Sequence, residues 1–440
     1  MPSTRALILG LLTFALHMAT FASPGPAFAA SKEKVLHEFN LQSGISPTAG
    51  LALGSNGKLY GTTSSGGGSH CTVYGGCGTV FQLTVGKNGK WSERVLHSFR
   101  SDGRDGADPR SGVIFDSLGN LYGTTVGGGA YGAGTVFALM PDANGGWTEK
   151  ALHTFNSNGK DGTSPLAGLT FDTDGNLYGT TNAGGVYNDG TVFRLAPNED
   201  GKWTETVLHS FLDNGKDGNS PDAGLIFDVA GNLYGTTAGG GGGPCTGGCG
   251  TVFELARDGN GGWTEKVLHR FSHGHGKDGY IPTAGLILDA KDNLYGTTNG
   301  GGSYGEGTVF RLTLRGNGEW TEKVLHSFDW NAKDGYYPDA SLIFDASGNL
   351  YGATALGGTG QCTFTGTIVG CGTVFRLTPG ANGSWNEGVL HSFQSNGKDG
   401  TEPNAGLALD GAGNLYGTTT MGGSDLCSEY GCGTVFEITP

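Results

Sequence analysis

The chain has 440 residues, 86 of them glycine, 15 proline and 8 cysteine, with a formal net charge of -14. Length alone points to two or three domains, and the acidic balance, with no basic cluster to offset it, argues against nucleic acid or an anionic membrane as partner. So much glycine nears the range of disordered chains, but here it recurs at fixed places between apolar β-forming runs, where it punctuates turns.

Residues 1–30 stand apart. Arg5 gives a positive start, residues 6–16 form an apolar run, and Ala27-Phe28-Ala29 is a small-x-small cleavage pattern. That is a signal peptide, too short for a stable membrane span. The expectation is export, cleavage near Ala30 or Ser31, and a single domain over residues 31–440.

From there one unit repeats. Leu-His-x-Phe starts at Leu36, Leu96, Leu152, Leu208, Leu268, Leu325 and Leu390. Gly-Thr-Val-Phe starts at Gly78, Gly134, Gly190, Gly250, Gly307, Gly372 and Gly433, and Leu-Tyr-Gly carries Tyr60, Tyr122, Tyr178, Tyr234, Tyr295, Tyr351 and Tyr416. Each series recurs every 56 to 65 residues. A fixed long period signals a repeat array, which overrides the domain count that length implies.

Each unit holds four short β-type runs, a to d. In the second unit they are 112–116, 120–125, 135–139 and 147–155. The a–b turn, Asp116-Ser117-Leu118-Gly119-Asn120, has residues that bond turn backbone or accept left-handed dihedrals. Run d alternates, which predicts Trp147, Glu149, Ala151, His153 and Phe155 on one side of the strand. Four antiparallel strands in each of seven units predict an all-β, seven-bladed β-propeller. The mature chain opens on a lone d run, residues 34–39, and closes on a c run, residues 433–439. Pairing them completes the seventh blade and removes the open ends of a linear array.

The unit Pro-x-Ala-Gly-Leu-x-Phe-Asp-x-x-Gly-Asn-Leu-Tyr-Gly-Thr-Thr, with Gly-Thr-Val-Phe and Trp-x-Glu-x-Val-Leu-His-x-Phe behind it, resembles the GloVer (Gloeo/Verruco) tandem repeat over about residues 34–440. That resemblance implies a bacterial surface or secreted protein of the choice-of-anchor type, and it implies no defined reaction and no catalytic residue. No anchoring tail is expected after the last c run. More distantly, Gly-Leu-x-x-Asp-x-x-Gly-Asn-Leu-Tyr is similar to NHL and gluconolactonase-like propellers.

The cysteines fall in four local pairs, Cys71/Cys77, Cys245/Cys249, Cys362/Cys371 and Cys427/Cys432, each in a b–c loop and each ending directly before Gly-Thr-Val-Phe. Paired loops are 12 to 17 residues long, and the three unpaired loops are 8 long and carry Tyr131, Tyr187 or Tyr304. In an exported chain this predicts disulfides. The competing reading is metal, but one blade supplies two thiolates where a closed zinc site needs four ligands.

The d–a loops repeat Asp-Gly after a basic residue, with Asp105, Asp161, Asp217, Asp278, Asp334 and Asp399. Such an aspartate ties its own loop by accepting backbone N–H bonds. A calcium site in each loop is the sharper alternative, but it needs six or more oxygens. The histidines His37, His97, His153, His209, His269, His326 and His391 form a ring of seven on the outer strand. An active site needs one or two, so they read as structural, between blades. Trp91, Trp147, Trp203, Trp263, Trp320 and Trp385 on the same run read alike. Residues 239–243 form a glycine run without the Gly-Lys-Ser/Thr of a phosphate cradle.

Positions that break the repeat carry what function the sequence can hold. After each proline that opens run a, one residue varies: Thr48, Arg110, Leu166, Asp222, Thr283, Asp339 and Asn404. Their place predicts the mouth of the central channel on the loop face. Two successive d–a loops also depart, one with His273, His275 and Tyr280, the next with Trp330, Tyr336 and Tyr337. Aromatic rings near carboxylates suit a sugar or a peptide; ordinary loop variation is the plainer alternative.

Two functions follow. The first is a secreted, periplasmic or extracellular binding or surface module, monomeric, with no cofactor, no metal and no catalytic residue. Its partner would be a glycan, a peptide or a surface protein at Arg110, Asp222, Asp339, Asn404, His273, His275, Trp330, Tyr336 and Tyr337. The second is a lyase or lactonase-like hydrolase with a metal-assisted site in the channel, which a stoichiometric bound metal would favour. A spacer role in an envelope is a third.

Overall fold

A computed structural model describes residues 31–440 except 69–70, 72–75, 260, 274–277, 332, 365, 425–426 and 428–430. The leader expected over residues 1–30, and His275, lie outside the described residues.

Seven four-stranded antiparallel sheets follow one another around a ring. In blade 2 the strands are a (Ile114–Phe115), b (Leu121–Thr125), c (Thr135–Pro141) and d (Trp147–Thr154), hydrogen-bonded in the order a-b-c-d. Strand b is Leu-Tyr-Gly-Thr-Thr and is buried throughout, as a central strand between two covered faces must be. Its glycine answers a close approach: a Cβ at Gly179 in blade 3 would lie 2.7 Å from the Phe193 ring and 3.0 Å from Leu169.

The a–b turn is built on one carboxylate. Asp116 accepts from the Leu118 and Asn120 backbone N–H at 2.9 Å each, from Asn120 Nδ2 at 2.7 Å and from the Tyr122 hydroxyl at 3.1 Å. Burial pushes this carboxyl up, but the hydrogen bonds outweigh it and hold Asp116 below its ordinary range. The same set forms at Asp172, Asp228, Asp289, Asp345 and Asp410.

Blades pack face to face through one apolar cluster per interface. Between blades 2 and 3 it contains Tyr122, Val136, Phe155, Leu177, Phe193 and Leu195. Edge-to-face phenylalanines recur at the interfaces, as with Phe155 and Phe193 at 5.2 Å. Nearer the channel a strand-b threonine bonds the next blade: Thr124 Oγ1 donates to the Ala167 carbonyl at 3.0 Å.

The ring closes as the repeat predicts. The first strand, Lys32–Glu38, pairs antiparallel with the last, Thr434–Thr439, and supplies strand d of blade 7. Leu36 and Phe39 then share a cluster with Leu59, Phe81 and Val435.

Strand d corrects one expectation. Every c–d pairing carries a β-bulge at the leucine before the histidine: Phe137 faces Ala151, but Val136 faces His153, so Leu152 is extra. One extra residue reverses the faces that follow it. Trp147, Glu149 and Ala151 therefore lie on one side of the blade, and His153 and Phe155 lie on the other. Strict alternation misplaced the last two.

Candidate functional site

The loop face is framed by short pairings between d–a and b–c loops, such as Gly106 with Gly128 and Tyr336 with Leu356. The residue before each opening proline is left-handed, from Ser220 at φ 52° to Asp108 at φ 59°. Its N–H reaches back to the preceding blade. In four cases the acceptor is the carbonyl of the second cysteine of a pair: Asp108 N to Cys77 O and Ile281 N to Cys249 O at 2.9 Å, Glu402 N to Cys371 O and Ser46 N to Cys432 O at 3.0 Å.

The four cysteine pairs are disulfides as expected, with Cα–Cα distances of 5.0 to 5.4 Å. Although all eight sit in loops, they are not surface groups. Cys77, Cys249, Cys371 and Cys432 are all buried and belong to the apolar clusters between blades. Each directly precedes the buried strand c, which draws it under the loop and into the interface. These four are core residues that no ligand on the loop face can touch, and their partners Cys71, Cys245, Cys362 and Cys427 are half-buried against the same clusters. The bridges staple the long loops at the point that holds the next blade.

The variable positions lie beside the opening prolines. Asp339 Oδ1 accepts from Thr283 Oγ1 at 2.9 Å and from Asn299 Nδ2 at 2.7 Å, which joins neighbouring members of the predicted ring. Asp222 accepts from Asn182 Nδ2 at 2.6 Å. Burial pushes both carboxyls up, with those donors opposing it. Asn404 Nδ2 donates to Thr420 Oγ1 at 3.2 Å, and its buried Oδ1 has no hydrogen-bond partner among the described residues. Arg110 is exposed and grips Asp108 at 2.9 Å.

The aromatic sector assembles between blades 5 and 6. Trp330, 54% exposed, stacks on Tyr336 at 5.2 Å with the rings 20° apart. Tyr336 is buried, and its hydroxyl donates to the Val369 carbonyl at 2.6 Å; it is a platform under Trp330 rather than a contact for solvent. Tyr337 sits edge-on to Tyr336 at 5.2 Å. Burial raises its phenol, and the nearby Glu306, Tyr280 and Asp339 add to that. His273 packs on Tyr280 at 4.9 Å. At φ 57° and 58°, Ile281 and Tyr337 put bulky side chains where serine stands in blades 1, 3 and 4. Strain of that kind gathers at functional sites.

A second constellation sits at the outer rim. Six of the seven repeated histidines place Nε2 2.9 to 3.3 Å from the d–a loop aspartate, as His97 does with Asp105. The aspartate also ties its loop, as expected: Asp105 accepts from Arg100 N at 3.0 Å and Gly106 N at 2.7 Å. Because of the bulge, each pair faces the strand-d glutamate of the next blade. These are Glu149, Glu205, Glu265, Glu322, Glu387 and, from the closing strand, Glu33. The seventh pair lacks the aspartate, and there His37 Nε2 is 3.5 Å from Glu93.

All seven glutamates bury Oε1 with no hydrogen-bond partner among the described residues. Burial first, then the facing aspartate, pushes Glu149, Glu205, Glu265 and Glu387 up to about 7 and Glu322 to about 8. Cavities of about 480 and 510 Å³ open beside this rim, the first lined by His97, Asp105 and Glu149, the second by Asp161, Glu205 and His209. Sequence reasoning took histidine and aspartate one at a time and missed the glutamate. The available signal was its fixed place four residues before every repeated histidine.

The fold and these loops define a closed seven-bladed β-propeller made of one repeated unit. A family model described as the Gloeobacter/Verrucomicrobia repeat matches residues 26–247 and 174–382, and the chain belongs to that family. No curated protein matches it in sequence. Among solved structures, a fungal alcohol oxidase of the AA5 family in complex with copper aligns with a TM-score of 0.56 at 17% identity, over 94% of this chain and 77% of its own. A luciferin-regenerating enzyme aligns at 0.42 and 13%, over 93% and 96%. At such identity the first likeness bears on the fold alone, and the second carries no argument.

Proposed function

We propose that this propeller is an exported, non-enzymatic binding module whose ligand, a glycan or a peptide, docks on the loop face over blades 5 and 6. The observation that carries this is Trp330, exposed yet held flat on the buried Tyr336. A fixed aromatic plate offers a sugar ring or an aromatic side chain a large contact at little entropic cost. Tyr337 sits edge-on to the same Tyr336, and Asp339, near Tyr337, has a carboxyl oriented by Thr283 and Asn299. Arg110, Asp222 and Asn404 would shape the rest of the mouth. Export rests on residues 1–30 and on four disulfides, which belong to an oxidising compartment. The net charge of -14 fits a partner other than nucleic acid.

The test is a glycan and peptide array, with titration of any hit by tryptophan fluorescence. Trp330→Ala and Tyr337→Ala are expected to weaken binding at least tenfold with unchanged melting, and His273→Ala by less. Full affinity in Trp330→Ala would overturn the site.

A channel enzyme is the second reading, and the raised carboxyls of Asp222 and Asp339 favour it. They stand in blades 4 and 6 with Thr283 between them in the ring, and Thr283 Oγ1 donates to Asp339.

A further inference from the structure

We propose that two blade interfaces each bind a zinc-class divalent cation, one through His209, Asp217 and Glu265, the other through His391, Asp399 and Glu33. In both, one ligand atom from each residue lies within 4.8 Å of the other two. Among the described residues no other interface brings its three together so closely.

The chemistry of the set fits an ion. An imidazole and two carboxylates are zinc ligands, and water can fill the fourth position from the solvent side. His209 Nε2 is already 3.1 Å from Asp217 Oδ2, and His391 Nε2 is 3.1 Å from Asp399 Oδ2. Ligands about 2.1 Å from a tetrahedral ion stand roughly 3.4 Å apart, close to the histidine–aspartate separation of 3.1 Å. The glutamate carboxylate, within 4.8 Å of both, completes the site by moving inward.

The glutamates supply an independent sign. Glu265 Oε1 and Glu33 Oε1 are buried, with no hydrogen-bond donor among the described residues. A buried acceptor left unmet is unfavourable. Each faces a second carboxylate across the interface, and the like charges oppose one another. A cation between them relieves that conflict for both carboxylates at once. Binding shifts the imidazole proton to Nδ1, frees the Nε2 lone pair for the ion, and releases any glutamate proton to solvent.

The two sites differ in consequence. His209 and Asp217 come from blade 3 and the loop after it, and Glu265 comes from blade 4. Glu33 lies on the closing strand, while His391 and Asp399 come from blade 6 and its following loop. An ion there ties the N-terminal strand to a blade with which it shares no sheet. Strand d is the outermost of its blade, so the ions are remote from the channel. Metal content by itself therefore does not favour the channel enzyme; the positions of the ions decide.

The test uses the exported full chain, stripped with EDTA, loaded with zinc chloride, gel-filtered and assayed for zinc. Wild type is expected to retain two more zinc ions than a Glu33→Gln/Glu265→Gln double variant, which keeps both His–Asp bonds. Zinc should raise the wild-type melting temperature and leave the variant unmoved. Zinc absent from wild type, or equal in both proteins, overturns the proposal. Cobalt(II) in wild type alone, whose visible bands report nitrogen and oxygen ligation, gives a readout that does not depend on the variant folding; no such bands would refute it as well.

Discussion

Thr418 Oγ1 donates to the Ala49 carbonyl at 3.1 Å, across the point where the ring closes. Thr62, Thr124, Thr180, Thr236 and Thr297 make the same bond to the next blade at 2.8 to 3.3 Å. The ring therefore treats its own ends as one more interface. Blade 6 is the exception, because Ala353 stands where the other six have threonine. Ala353→Thr should restore the bond to blade 7 and stabilise the protein by roughly 0.5–1.5 kcal/mol. Urea unfolding would read this as a higher midpoint; a lower one would mean that the fully buried site beside Phe436 cannot take the added hydroxyl.

The closing strand is one of seven equivalent d strands, but it is the one that can be removed without cutting the chain. Deleting residues 31–40 strips blade 7 of its outer strand and exposes the edge Thr434–Thr439. It also removes Leu36 and Phe39 from the cluster that joins blades 7 and 1. Exposed edges pair with other chains, so the truncated protein should open or aggregate on size-exclusion chromatography. A truncated monomer as stable as the parent would refute closure by this strand.

Stability should fall as pH rises from about 5 to 8. The rim glutamates have an ordinary value of 4.5, and six of them are raised to about 7 or 8, by burial first and, in all but Glu93, then by the facing aspartates. Between those limits the folded chain holds protons that the unfolded chain has lost, so the contribution is complete below 4.5 and gone above the folded value. His37, lowered to about 4 by burial, runs the other way, losing stability as pH falls from 6.5 to 4; it is one group against six. Calorimetry in EDTA would show the melting temperature dropping across this window. A Glu205→Gln/Glu322→Gln variant should flatten the slope, and a flat wild-type profile would show that the carboxyls are solvated.

The architecture was legible because each marker answers a local requirement. Gly179 admits the Phe193 ring, Asp116 holds its turn with four hydrogen bonds, and the leading d run has one vacancy to fill. The cysteine pairing was legible from spacing, but the depth of Cys77, Cys371 and Cys432 was not, since it depends on the neighbouring blade that covers them. The rim constellation was not legible. Period-two reasoning put Glu149 and His153 on one face, and only the bulge at Leu152 separates them, so that each meets a partner from a different blade. No residue type announces that bulge. At the loop face, Trp330, Tyr336 and Tyr337 were marked by departing from the repeat. The burial that makes Tyr336 a support came from Val369, 33 residues further along the chain.

The disulfides should act on the next blade as well as on their own loop. Cys249 closes a short loop with Cys245 and accepts the Ile281 N–H of blade 5 at 2.9 Å. Ile281 is β-branched and held at φ 57°, so that hydrogen bond helps to keep a strained residue in place. Replacing both cysteines by serine should cost about 2 kcal/mol on the chain-entropy account for so short a loop. Hydrogen exchange at the Ile281 amide should quicken beyond that global loss, while the equivalent Ser164 amide, which bonds Ala133 in a loop without cysteines, should change only with global stability. Equal acceleration at both amides would mean that the bridge stabilises the ring as a whole and does not hold the next blade in particular.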